Sequence, residues 1–142
     1  MDTQTILIVD DEPRFRKSLA LILEHHGYHV LQGADGMEAL RVLSEHSQFL
    51  PYIDLVVTDI RMPGMDGLEL VKCIWQSRTP VKVLVMTGFG DRETVSRLHE
   101  MGVSGVIHKP FDGDQLLAMI RSTLANTPAL NKKNHVNSMM RG

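Results

Sequence analysis

Five short apolar runs, each followed by a stretch of helical period, restrict this chain to very few architectures. The runs fall at 6–9, 28–31, 55–58, 83–86 and 106–108. After the first, Pro13 suits the opening turn of a helix, and Phe15, Leu19, Ile22 and Leu23 recur at helical spacing until Gly27. The second run, Tyr28-His29-Val30-Leu31, is less apolar than the others and predicts an edge strand. Asp35, Asp66 and Asp91 stand where helix caps belong, and Asp112 precedes the last helix. The helices they introduce carry Met37, Leu40 and Leu43, then Leu70, Val71, Ile74 and Trp75 facing inward, then Val95, Leu98 and Met101, then Leu116, Leu117, Ile120 and Leu124. Gly102 is a stop for the fourth helix. Five β-α units in succession predict an α/β fold, a doubly wound parallel sheet with helices on both faces. Each crossover must return to the sheet with right-handed sense.

A chain of 142 residues is long enough for one such domain. The periodic pattern predicts a domain over 1–126, and the Asn- and Lys-containing stretch 127–142 predicts a flexible tail. Lys+Arg 15 against Asp+Glu 17 gives a net charge of -2, which does not point to nucleic acid or an anionic membrane as partner. The single Cys73 has no partner for an internal disulfide, and the first apolar run is too short for a signal sequence or a membrane span. The expected compartment is the cytoplasm.

Four of the runs end on polar residues of different kinds. The first leads into Asp10 and Asp11, the third into Asp59, the fourth into Thr87 and the fifth into Lys109. In open parallel sheets, ligands bind beyond the carboxyl ends of the strands. Three carboxylates delivered to one edge repel one another unless a cation neutralises them, and hard oxygen donors suit Mg²⁺, which shares its coordination with water and phosphate. An aspartate can attack phosphorus to form an acyl phosphate, and Asp59 is followed by the turn Met62-Pro63-Gly64. The pattern suggests a magnesium-dependent phosphoryl site.

Val9-Asp10-Asp11-Glu12, Asp59 with Met62-Pro63-Gly64-Met65-Asp66-Gly67, Thr87-Gly88 and Lys109-Pro110-Phe111 together resemble the receiver domain of two-component response regulators. The resemblance extends from residue 5 to about residue 125. It implies a flavodoxin-like five-stranded sheet in order 2-1-3-4-5, with Asp59 as phosphoacceptor. It further implies Asp11 as a direct metal ligand, Asp10 as a more distant acidic partner, and Arg61 as a ligand through its backbone carbonyl. Thr87 and Lys109 match the residues that hold phosphoryl oxygens, and the Lys109-Pro110 bond is expected to be cis. The implied partners are a sensor histidine kinase or phosphotransfer protein upstream and a protein downstream. A homodimer is compatible with this reading, and direct binding to nucleic acid is not expected. One residue departs from the pattern: Val106 stands where the family usually has a Tyr or Phe that reports phosphorylation. The expectation that follows places the switch in Gly88-Phe89-Gly90 and the helix from Arg92 to Met101.

Two other functions compete. An aspartate-nucleophile phosphohydrolase would want its nucleophile on the first strand in an Asp-x-Asp arrangement, which Asp10-Asp11-Glu12 does not supply. A receiver that only binds partners would have no use for the intact set of Asp10, Asp11, Asp59, Thr87 and Lys109. His25, His26 and His29 are interrupted by Gly27 and make a poor metal site, Cys73 reads as core filler, and Gly88-Phe89-Gly90 is too short for a dinucleotide loop.

Overall fold

The computed structural model describes residues 3–88 and 91–126. The elements follow the predicted alternation: β1 (Thr5–Val9), α1 (Pro13–His25), β2 (His29–Gly33), α2 (Gly36–Glu45), β3 (Leu55–Asp59), α3 (Gly67–Ser77), β4 (Lys82–Thr87), α4 (Arg92–Glu100), β5 (Gly105–His108) and α5 (Gly113–Asn126). All strand pairings are parallel, and the sheet order is β2-β1-β3-β4-β5. The expected tail 127–142 lies outside the described residues, as does the Phe89-Gly90 part of the loop proposed for the switch.

The central strands read as continuous apolar runs because both faces of the sheet are covered. Leu7, Val9, Val56, Val83 and Val85 point into a core that also takes Ala39, Leu70, Val71, Ile74 and Leu98 from α2, α3 and α4. Ile6, Ile8, Val57, Leu84 and Met86 point the other way, onto Leu19 and Leu23 of α1 and Leu116, Leu117 and Ile120 of α5. On β5, Val106 packs toward the first core and Ile107 lies in the second. Lys82 ties the amino end of β4 to the last turn of α5, its Nζ donating to the carbonyls of Thr123 (3.1 Å) and Leu124 (2.9 Å).

One inward assignment is corrected, and one residue of the α2 pattern lies outside the core. Trp75 is 43% exposed, because the buried stripe of α3 runs Gly67, Leu70, Val71 and Ile74 and leaves Trp75 at its margin. Met37 is 64% exposed, because Gly36 and Ala39 carry the close approach of α2 instead. A Cβ on Gly36 would lie 2.7 Å from Met65 Cγ, so only glycine fits where α2 meets the loop after β3.

Candidate functional site

The strand order places the carboxyl ends of β1, β3, β4 and β5 side by side, and each contributes to one edge. Asp10 continues β1, its amide donating to the Gly33 carbonyl at the end of β2 (3.1 Å). Its side chain is 1% exposed; Oδ1 accepts from the Glu12 amide (2.8 Å), whereas Oδ2 accepts no hydrogen bond. Asp11, next along, is exposed. Asp59 closes β3, with Oδ1 accepting from the Ile60 amide (2.8 Å). The Lys109 amide donates to the Thr87 carbonyl (2.7 Å), which fixes the start of the loop after β5 beside the end of β4. Lys109 Nζ then reaches across to Asp59 Oδ2 at 3.0 Å and stands 3.5 Å from Asp10 Oδ2. That second distance is an ion pair but too long for a hydrogen bond, so Asp10 Oδ2 remains without a donor.

Carboxylate oxygens of Asp10, Asp11 and Asp59 all lie within 4.8 Å of one another. Among the described residues, the cation ion-paired with this group is Lys109. One ammonium leaves most of the repulsion uncompensated. Burial raises the Asp10 carboxyl above the ordinary carboxylate range, and the charges of Asp59 and Asp11 push the same way. The Glu12 amide and Lys109 pull it down without cancelling the rise. A buried carboxylate oxygen with no donor, beside two further carboxylates, is chemically suited to a hard divalent cation. The donor set therefore fits a metal ion, which Asp10, Asp11 and Asp59 could hold.

Arg61 and Thr87 are joined by a residue that the sequence reading placed elsewhere. Asp91 was expected to cap α4, but its carboxylate makes no cap hydrogen bond. It turns back instead. Oδ2 accepts from the Thr87 hydroxyl and from the Gly88 amide, both at 3.1 Å, and Oδ1 accepts from Arg61 Nε at 2.8 Å. Burial alone would raise the Asp91 carboxyl, but the Arg61, Thr87 and Gly88 hydrogen bonds outweigh it and hold the group below its ordinary value. Arg61, read only as a carbonyl ligand, thus has a separate side-chain role spanning the loops after β3 and β4. A shallow groove of about 540 Å³ lies under this bridge, lined by Ile60, Arg61, Met62, Pro63, Asp66, Asp91 and Thr94.

Two residues on α1 also serve the edge without having been singled out. Arg16 Nη1 donates to the Asp10 carbonyl (2.6 Å) and its Nε to Gln32 Oε1 (3.1 Å), clamping the end of β1 to β2. The ring of Phe15 lies 4.6 Å from Lys109 Nζ and meets Phe111 edge-on at 5.9 Å, so the ammonium sits against an aromatic face while it reaches the carboxylates. Both fall on the first turn and a half of α1, the part nearest the sheet edge, but their residue types alone do not mark them out. The Lys109-Pro110 bond is cis, as expected, and Leu50-Pro51 is cis as well.

A 2-1-3-4-5 parallel sheet with an acidic cluster and a lysine at its carboxyl edge defines a receiver-type signalling domain. The family model of the response regulator receiver domain matches residues 6–121, and the chain belongs to that family. The transcriptional regulatory protein FixJ of Bradyrhizobium diazoefficiens is 35% identical over 119 residues, covering 84% of this chain and 56% of FixJ. The chain thus spans little more than half the length of that relative. Sporulation initiation phosphotransferase F of Bacillus subtilis is 32% identical over 124 residues, covering 87% of this chain and 96% of its own length. The crystal structure of FixJ-N superposes with a TM-score of 0.77 at 30% identity, covering 92% of this chain and all (100%) of that one. A receiver domain protein from Clostridium thermocellum gives 0.78 at 26% identity, covering 94% of this chain and 98% of that one. The fold and the family reading of the sequence are both borne out. Among the described residues, no helix is long and apolar enough to cross a membrane.

Proposed function

We propose that this chain is a cytoplasmic phosphoacceptor switch in two-component signalling, with a receiver domain over 1–126. A sensor histidine kinase or a phosphotransfer protein presents a phosphohistidine, and an Asp59 carboxylate oxygen bonds to phosphorus as the P–N bond breaks. The departing imidazole takes a proton. Lys109, 3.0 Å from Asp59, balances the negative charge of the phosphoryl oxygens, and Thr87 donates its hydroxyl to one of them. Asp10, Asp11, Asp59 and the Arg61 carbonyl are the ligands proposed for Mg²⁺, which when bound supplies further neutralisation of the phosphoryl charge. The same groups assist the chain's own phosphorylation and dephosphorylation, so it takes part in these steps without turning over a separate substrate. Phosphorylation then alters binding to a downstream protein, in place of direct contact with nucleic acid.

The observation that carries this reading is the convergence of three carboxylates within 4.8 Å, with one lysine bridging two of them, at the carboxyl ends of β1, β3 and β5. Its test is covalent. Incubation with acetyl phosphate and Mg²⁺ is expected to add one phosphoryl group to the wild type and none to Asp59→Asn, read by intact mass. Equal labelling of the two proteins rejects Asp59 as the acceptor.

A further inference from the structure

We propose that Asp91 is a positioning residue for Thr87: its carboxylate holds the Thr87 hydroxyl in a contact that phosphorylation has to break, and Arg61 braces that carboxylate. The inference rests on the reading of Asp59 as phosphoacceptor and adds a competing partner inside the resting protein.

A threonine hydroxyl carries one proton. Here that proton is committed to Asp91 Oδ2 at 3.1 Å or to the Gly88 carbonyl at 3.2 Å, so it cannot at the same time be donated to a phosphoryl oxygen. The contact is well shielded, since Thr87 is 1% and Asp91 6% exposed. Hydrogen bonds to ionised acceptors are the stronger kind, and burial strengthens them further. The two oxygens of Asp91 are divided between loops: Oδ2 serves Thr87 and Gly88, while Oδ1 faces Arg61. The Arg61 side chain is 71% exposed, so its arm of the bridge is screened by water and is the weaker one. The hold on Thr87 therefore lies chiefly with Asp91.

The arrangement also links the hydroxyl to a helix. Asp91 immediately precedes α4, yet spends its side chain on the hold instead of on the helix's first amides. When Thr87 turns to a phosphoryl oxygen, Asp91 Oδ2 loses its hydroxyl donor and is free to engage other donors at the start of α4. This gives α4 a stake in the state of Asp59 without an aromatic on β5, where Val106 stands.

Beryllium fluoride with Mg²⁺, which mimics a phosphoryl group on an aspartate, tests this when titrated into the full chain and followed by NMR. Asp91→Ala is expected to tighten binding by roughly tenfold or more, the size of a lost hydrogen bond to an ionised acceptor. Asp91→Asn, which keeps an acceptor oxygen but loses the charge, is expected to tighten it less. In a Thr87→Val background, both substitutions should change affinity by less than about twofold, because the hydroxyl they release is gone. Equal tightening by Ala and Asn, or the same tightening in the Thr87→Val background, would mean that Asp91 acts only through its charge and would overturn the proposal. Unchanged or weaker binding in Asp91→Ala overturns it too. If Asp91→Ala does not fold, the Asn variant with and without Thr87→Val decides alone, by whether its tightening vanishes with the hydroxyl. Failure of the wild type to bind the mimic rejects the phosphoacceptor reading itself, a result distinct from normal wild-type binding with unresponsive variants.

Discussion

Gly67 sits on the helix that follows the proposed acceptor, and the structure sets what an added methyl there would do. Its amide donates to the Ile60 carbonyl at 2.7 Å, drawing the first turn of α3 onto the backbone just past Asp59. A Cβ at this position would overlap the Asp59 carbonyl oxygen and approach Ile60 Cα to 2.8 Å and the Asp59 carbonyl carbon to 3.1 Å. Every one of these neighbours is backbone, so no rotamer change relieves the clash. Either α3 backs away from its packing through Leu70, Val71 and Ile74, or the end of β3 shifts. Overpacking of this kind costs about 1–3 kcal/mol, and an unyielding neighbour argues for the upper end. Alanine returns at most about 1 kcal/mol of helix propensity. Gly67→Ala is therefore expected to lose about 2 kcal/mol in urea denaturation, or roughly 6–10 °C in Tm for a domain of this size. Gly105→Ala is the matched control, because its Cβ would meet only Leu84 and Met119 side-chain atoms at 3.6–4.0 Å. If Gly67→Ala lies within about 0.5 kcal/mol of wild type, the scatter of ordinary surface substitutions, the argument from close backbone approach is refuted. A loss of stability with normal labelling by acetyl phosphate would instead show that α3 moves and Asp59 does not.

Two further outcomes follow from the acidic cluster. Asp11→Ala should lose Mg²⁺ affinity by NMR titration while the metal-free protein becomes no less stable, since one of three mutually repelling carboxylates is gone; an unchanged titration would remove Asp11 from the site. Burial raises the Asp10 carboxyl on folding, so the native state keeps a proton that the unfolded chain has already released, and stability contributed by that proton is lost as pH rises through the raised value. Asp10→Asn, measured in chelator, should accordingly be more stable than wild type at neutral pH and less sensitive to pH across the carboxylate range, and a less stable variant at pH 7 would contradict this.

Most of the site was legible because a parallel strand buried on both faces must be apolar throughout, so its first polar residue marks the sheet edge. Asp10 and Thr87 are the first polar residues after their apolar runs, whereas Asp59 and Lys109 each stand one place beyond a polar residue, Thr58 and His108; the strand order brings the four strand ends to one edge. What the rule does not convey is the direction taken by long side chains arriving from helices. Arg16 and Phe15 reach the edge from α1, but in the sequence they look like any arginine and any phenylalanine of an amphipathic helix. Trp75 failed for a related reason. A stripe of helical period predicts which face is buried but not its width, and on α3 the buried stripe of Gly67, Leu70, Val71 and Ile74 leaves Trp75 at its margin.

Asp91 shows where the sequence signal itself divides. Asp35 and Asp66 precede helices in the same way and do cap them, accepting from the amides of Glu38 (2.8 Å) and Glu69 (2.9 Å). Both have extended backbones, with ψ of 177° and 178°, which is the conformation that aims a cap side chain at the third helical amide. Asp91 has ψ of 17°, and that rotation takes its carboxylate away from the helix and toward Thr87, Gly88 and Arg61. An aspartate before a helix offers the same carboxylate to either set of donors, and the choice is made by the donors the neighbouring loops present. At Asp35 and Asp66 the helix amide takes the carboxylate. At Asp91 a buried hydroxyl, a loop amide and a guanidinium take it, and the cap is forgone at the helix start that follows Thr87.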